Sequence, residues 1–295
     1  MTRTKPILFE GKQPHRKFHE LAHLDAGSFG AEDAFYKLVR EVVIMEKLYQ
    51  HENIVACHEA WFEGPLKKKF NSEWLKLLKS NKSPPTPNER LPTSVSEEEV
   101  NTYMCIRMEL MDKDINLAAW YNQNLDKIGN FETTVKITKP MLASLATIHA
   151  EGIIHRDLNP NNILLNVRGD EIIVKIADFG LSREIPTDDS ALSGHVGGVY
   201  FTSPEIERGD RDYTFKTDIF SLGLIVLVML HPFCSNEELK MGLDDVRHGC
   251  SRILQGFLIT QPRIYDLLRT MLNRKPEERP TAEEALTVVK IISSK

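Results

Sequence analysis

The stretch His155-Arg156-Asp157-Leu158-Asn159-Pro160-Asn161-Asn162, with Asp178-Phe179-Gly180 downstream of it, limits the folds open to this chain more than any other feature. Between them lie two short apolar runs, Ile163–Leu165 and Ile172–Ile176, on either side of a turn at Arg168–Asp170. That pattern predicts a β-hairpin. Loops that enter and leave one hairpin emerge side by side, so their polar side chains can converge on one point. Asn162 and Asp178 are oxygen donors of the kind Mg²⁺ takes alongside phosphate and water. Asp157 is suited to accept a proton from an attacking hydroxyl.

Composition excludes several classes. Of 295 residues, 41% are hydrophobic and 27% charged, which fits a soluble globular protein rather than a collagen-like, mostly disordered or disulfide-scaffold chain. The net charge of −5 does not suit the neutralisation of phosphates along a duplex, so no nucleic acid partner is expected. Cys57, Cys105, Cys234 and Cys250 form no CxxC, which fits a reducing, cytoplasmic setting. The apolar run Ile219–Leu230 is shorter than the ~20 residues a bilayer requires. It reads as a buried helix, and no membrane contact is expected.

Along the chain, Phe18–Leu24 and Thr102–Leu110 read as strands. Leu38, Val42, Met45 and Leu48 place a helical stripe within Tyr36–Tyr49. Val135–His149 reads as a helix that Pro140 should kink or break. After Asp218 the pattern is helical to the end. Gly64–Val100, with Lys67–Lys69, a Pro-rich SPPTP and an acidic run, is too polar to bury a core and is expected to be largely disordered. Within it Trp74, Leu77 and Leu78 have the spacing of one amphipathic turn. His15, His19 and His23 recur every four residues, but with no carboxylate or thiol near them they read as edge histidines rather than a zinc site.

The HRDxxxxN string and the DFG that follows it resemble the protein kinase family in type and spacing. Ser203-Pro204-Glu205 is similar to the family's APE, and Leu24–Gly30 (LDAGSFG) to its glycine-rich loop. His51–Glu63, a long insert, and then Tyr103–Leu110 are similar to the kinases of the translation initiation factor 2 alpha subunit, the PERK-like branch in particular. The resemblance covers about residues 18–292. It implies an α+β, two-lobed fold: a tail over 1–17, a small β-rich N-lobe over 18–110 with an insert at 64–100, and a helical C-lobe over 111–292.

By the same resemblance, Asp157 would be the catalytic base, and Asn162 and Asp178 would hold Mg²⁺. Gly27 and Gly30 would cover the phosphates of ATP. Met108 would be the gatekeeper, and Glu109 to Met111 the hinge whose backbone binds adenine. Asp218 would hold the catalytic loop's backbone, and Glu205 would pair with Arg279 in a buried ion pair. The implied substrate is a protein hydroxyl, with the initiation factor 2 alpha subunit as the first candidate, and a homodimer is left open.

Three departures bear on activity. Only residues 31–40 separate Gly30 from Glu41, whereas a two-strand hairpin alone takes about 12 residues. The strand that carries the family's phosphate-clamping lysine therefore has no room there. Lys37 is one helical turn from Glu41 and reads as its surface partner. Asp25 stands where the first loop glycine should be. Asn159 and Gly198 stand where serine/threonine kinases carry a lysine and a threonine. Loss of two cations costs roughly 10⁴ in rate if each is worth about 10²–10³. Three readings follow: a weak enzyme, a pseudokinase that binds or regulates, and a sequence lacking part of its N-lobe.

Overall fold

Direct pairing of an early strand with a late one organises the first part of the molecule. The structure, a computed structural model, describes residues 8–10, 17–23, 40–49, 51–63, 103–111, 115–184, 200–210, 213–249 and 252–294. Strands β1 (Leu8–Glu10), β2 (Lys17–His23), β3 (Cys57–Glu63) and β4 (Tyr103–Met108) form an antiparallel sheet in the order β1-β2-β4-β3. In β2, Phe18 is opposite Arg107 and His19 opposite Ile106. No described strand stands between them, as the short stretch before Glu41 requires.

The tail expected over 1–17 is in part a strand. Leu8, Phe9 and Glu10 pair with His19, Phe18 and Lys17. This pairing satisfies backbone groups that the outer edge of β2 would otherwise leave unpartnered. A helix, α1, includes residues 40–47 and buries Val42, Met45 and Leu48 on its expected stripe, with Ile44 beside them. Gly27, Gly30, Lys37, Gly198 and the insert over 64–100 lie outside the described residues.

The described residues divide into two compact units, with a boundary between Leu110 and Met111. His51–Ile54 belong to the second unit although their neighbours on both sides belong to the first. Several bonds fasten this short piece, among them one from Lys175 Nζ to the Ile54 carbonyl at 3.4 Å. Asn53 donates from Nδ2 to the Val174 carbonyl at 3.0 Å, and its own carbonyl accepts from Ser144 Oγ and from the Ile176 N–H at 2.9 Å each.

The second unit is helical around the predicted hairpin, β7 (Ile163–Arg168) with β8 (Glu171–Ile176). Short strands β5 (Ile115–Asn116) and β6 (Ile153–Ile154) come before it, and β9 (Arg183–Glu184) after. Helix α2 (Leu117–Gln123) begins at Asn116, whose side chain accepts from the Ala119 N–H. Helix α3 (Phe131–Ala150) runs unbroken through Pro140. Proline removes one bond, to the Lys136 carbonyl, and Lys136 lies on the exposed face where water can replace it.

Helices α4 (Pro204–Glu207), α5 (Lys216–Leu230), α6 (Asn236–Arg247), α7 (Arg252–Thr260), α8 (Pro262–Met271) and α9 (Ala282–Ser293) follow. Every residue of α5 from Thr217 to Leu230 is buried, as its apolar run predicts. Gly223 lets α5 approach the end of α8: a Cβ there would meet Leu272 Cδ2 at 2.9 Å and Met271 Cβ at 3.2 Å.

Candidate active site

The β7–β8 register sets the site. Ile163 pairs with Ile176, so the residues just outside that pair, Asn162 and Ala177, also adjoin. The Ala177 N–H donates to the Asn162 carbonyl at 2.9 Å, which brings Asp178 beside the loop that ends at Asn162.

That loop is held from below. Arg156 has φ +70°, a left-handed conformation unfavourable for a residue with a Cβ. Asp218, fully buried on α5, offsets the cost. Its Oδ1 accepts from the Arg156 N–H and its Oδ2 from the His155 N–H, each at 2.9 Å. His149 Nε2 lies 2.9 Å from Oδ2 and, since a carboxylate only accepts, carries the proton. Burial pushes the Asp218 carboxyl up. The His149 bond and charge, the charge of His155 and the Arg156 N–H outweigh it and leave it below its ordinary value.

Asp157 sits in a cradle of neutral amides. Asn159 Nδ2 donates to its Oδ1 at 3.1 Å, and Asn162 Nδ2 to its Oδ2 at 3.0 Å. Both amides also reach the Asp157 carbonyl, at 3.0 and 2.9 Å. Asn159 Oδ1 accepts from the Asn161 N–H at 2.9 Å, which fixes its orientation. Asn159, identified in the sequence only as a missing lysine, thus orients the carboxylate in the lysine's absence.

Asp178 also has a left-handed backbone, φ +67°, and its Oδ1 accepts from the Gly180 N–H at 3.1 Å. Phe179 is buried with its ring 5.1 Å from that of His155. Ser182 Oγ donates to the His155 carbonyl at 3.2 Å, fastening the second loop to the first.

The donor set fits Mg²⁺. The Nδ2 group of Asn162 is engaged by Asp157, so its oxygen is the end a cation would meet, and Asp178 adds a carboxylate. Among the described residues no cluster of three His, Cys, Asp or Glu could hold a metal by itself. Mg²⁺ needs none, because it completes its shell with phosphate and water oxygens.

Gly27 and Gly30 are outside the described residues. The Glu109 N–H donates to the Ala56 carbonyl at 2.8 Å, so a backbone contact from Glu109 to adenine would come through its carbonyl. Met111 is buried in the second unit.

Glu205 and Arg279 form the buried ion pair that the resemblance implied, at 2.6 and 2.8 Å. All five guanidinium donors have acceptors, the others being the carbonyls of Asn273, Lys216 and Arg274. Thr217 Oγ1 also donates to Glu205 at 2.9 Å. Arg247, which sequence reasoning missed as an anchor, holds the residues before Ser203. Its only signal was the string LDDVR at the end of an amphipathic helix.

The family model for the protein kinase domain matches residues 30–289. The chain belongs to the protein kinase family. Among kinases it is similar to "eIF-2-alpha kinase GCN2" of Arabidopsis thaliana, 29% identical over 85% of this chain and 21% of the relative. It is also similar to "Eukaryotic translation initiation factor 2-alpha kinase 3" of Rattus norvegicus, 30% identical over 62% of this chain and 17% of the relative. A third is the "Interferon-induced, double-stranded RNA-activated protein kinase" of the same species, 32% identical over 61% and 34%. This kinase chain thus spans between about a sixth and a third of the length of these curated relatives.

Proposed function

We propose that the chain is a serine/threonine protein kinase that uses Mg²⁺–ATP, with the initiation factor 2 alpha subunit as its first candidate substrate. The observation that carries this is Asp157 held between two amides on a loop whose backbone is pinned by Asp218. A carboxylate accepts about four hydrogen bonds, so two amide bonds orient Asp157 and are compatible with its accepting a hydroxyl's proton. A base within hydrogen-bond reach of the hydroxyl raises its nucleophilicity as it attacks. Asn162 and Asp178 would hold the metal. Mg²⁺–ATP, when bound, supplies the phosphoryl group and charge neutralisation. The choice of substrate rests on the similarity to kinases that carry that factor in their names.

A second reading, a pseudokinase that binds or regulates, has its own support. Lys5, Lys12, Lys17 and Lys37 are the lysines before Glu41; among the described strands only β2 holds one of them, Lys17, and it opens the strand that precedes the glycine turn rather than one that follows it. A slow enzyme and an inactive one separate in one experiment. Transfer of the γ-phosphate to an initiation factor 2 alpha fragment is followed for the wild type and Asp157→Ala. Slow transfer that Asp157→Ala abolishes supports the kinase. No transfer, with a Mg²⁺-dependent nucleotide shift in thermal unfolding, supports the pseudokinase.

A further inference from the structure

Arg279 and Arg247 are buried cations whose donors end on acceptors within the protein. Arg247 reaches the Tyr200 and Thr202 carbonyls at 2.7 and 3.0 Å and Glu207 at 3.0 Å. His149 differs. Its Nε2 is engaged by Asp218, while its Nδ1 has no hydrogen-bond partner among the described residues and is not sealed from solvent. The side chain is nonetheless only 10% exposed. A polar atom held in so enclosed a place favours a ligand that bonds to it.

His149 is part of the wall of a cavity of about 210 Å³, where the end of α3 meets the starts of α5 and α9. Ala146, Ala150, Phe215, Ile219 and Ala282 make most of the remaining wall apolar. The His149 and Phe215 rings are stacked, with centroids 4.8 Å apart and planes 29° from parallel. The charged residues of the wall are one of each sign, Lys216 and Glu283. Lys216 Nζ already donates to the Arg279 carbonyl. The Thr281 hydroxyl caps α9, accepting from the Glu284 N–H at 3.2 Å. Nδ1 of His149 is thus the polar atom of this wall still open to a partner.

We infer that this cavity binds a small phenol, its ring against Phe215 and the alanines and its hydroxyl on His149 Nδ1, and that occupancy braces the catalytic loop. An apolar cavity of about 150 Å³ holds a benzene ring, so this one has room for a ring and its hydroxyl. A hydroxyl both donates and accepts, and therefore pairs with Nδ1 whether or not that nitrogen carries a proton. The opposed charges on the wall give an ionic ligand no net advantage. The link to the loop is short. With Nδ1 held, the ring keeps Nε2 on Asp218, and Asp218 holds the His155 and Arg156 N–H groups. Arg156, with its left-handed backbone, depends on that hold. A ligand that favours the anchored loop is favoured by it in return. The site goes beyond the kinase reading and needs no phosphoryl transfer to be observed.

The probe is 4-fluorophenol, titrated into the whole chain and followed by fluorine NMR, with 4-fluorotoluene and 4-fluorobenzoate for comparison. A dissociation constant of about 1 mM is expected, well within what so small a ligand can reach. 4-Fluorotoluene, which has the shape but not the hydroxyl, should bind about tenfold more weakly. Ala150→Leu fills the cavity from an exposed position and should abolish binding, and Ala146→Leu should do the same independently. Persistent hydrogen-exchange protection of residues 219–230 shows that these variants are folded. In the wild type, saturating 4-fluorophenol should slow exchange at the His155 and Arg156 amides by roughly threefold.

Absence of 4-fluorophenol binding would overturn the inference. Equal affinity for 4-fluorotoluene would do so too, because Nδ1 would then play no part in recognition. Tighter binding of 4-fluorobenzoate would overturn the choice of a neutral ligand. Binding that survives both leucine variants lies elsewhere on the chain and sinks the site, and binding with unchanged exchange at His155 and Arg156 sinks its link to the loop. A chain inactive as a kinase leaves every one of these readouts in place, so failure of the proposed function and failure of this site are told apart.

Discussion

Arg279 and Glu205 face each other through two parallel hydrogen bonds, both residues at most 3% exposed and 74 positions apart. The pair joins the segment before α9 to α4 and α5. Replacement of Arg279 by Leu leaves Glu205 charged and buried, with Thr217 Oγ1 as a neutral donor. The expected loss is roughly 3–5 kcal/mol in urea unfolding. Joint replacement by Leu and Met should lose far less; an equal loss would mean that packing, not charge, is what the pair supplies.

The same pair predicts the acid limb of stability. Burial raises the Glu205 carboxyl, but the hydrogen bond and charge of Arg279 outweigh it and leave it below its ordinary value. Asp218 is lowered too. A depressed folded pKa means the stabilisation is complete above the unfolded pKa, about 3.9 to 4.3 for these groups, and is lost as pH falls through the folded value. Unfolding free energy should therefore drop below about pH 4.3. Glu205→Gln should flatten that drop while lowering stability at neutral pH. An identical slope in wild type and variant would remove Glu205 as its source.

Asn159→Lys tests what the missing cation is worth. Asn159 is buried and makes three bonds in the loop, to the Asp157 carboxylate and carbonyl and from the Asn161 N–H. A lysine would restore charge near the phosphates but forfeit those bonds. Turnover should rise by at most about tenfold. Asn159→Asp keeps the acceptor for Asn161 but opposes Asp157, and should lower turnover without a comparable change in nucleotide binding. A gain near a thousandfold in the lysine variant would show that Asn159 contributes nothing to the orientation of Asp157.

Gly223→Ala separates helix propensity from packing. Alanine favours an isolated helix by about 1 kcal/mol. Here its Cβ would meet Leu272 and Met271 inside van der Waals distance, so a net loss of about 1–2 kcal/mol is expected. Adding Leu272→Ala should relieve part of that loss. If Gly223→Ala is stabilising in thermal unfolding, the two helices have room to move apart.

The hairpin, α5, the Asp218 anchor and the Glu205–Arg279 pair were legible because each has a local or spaced string: two short apolar runs around a turn, an unbroken apolar run, DIFSLG, SPE and ERP. The strand Leu8–Glu10 was not, because three residues declare themselves only through a partner strand. Pro140 does not break its helix, because the carbonyl that loses its donor is a solvent-facing one, and spacing along the sequence does not show which carbonyl that is. The amide role of Asn159 and the anchor at Arg247 depend on atoms distant or oriented in ways that one-dimensional spacing does not encode.

Asn53 has a consequence for taking the molecule apart. Its four-residue piece belongs to the second unit, yet the chain reaches it out of the first and returns there. Residues 111–295 produced alone would leave the Val174 carbonyl, the Ile176 N–H and the Ser144 hydroxyl without the partners Asn53 provides. A dissection at Leu110 therefore does not follow the true seam. A fragment that carries a grafted copy of His51–Ile54, or receives it as a peptide, should refold where the bare fragment does not.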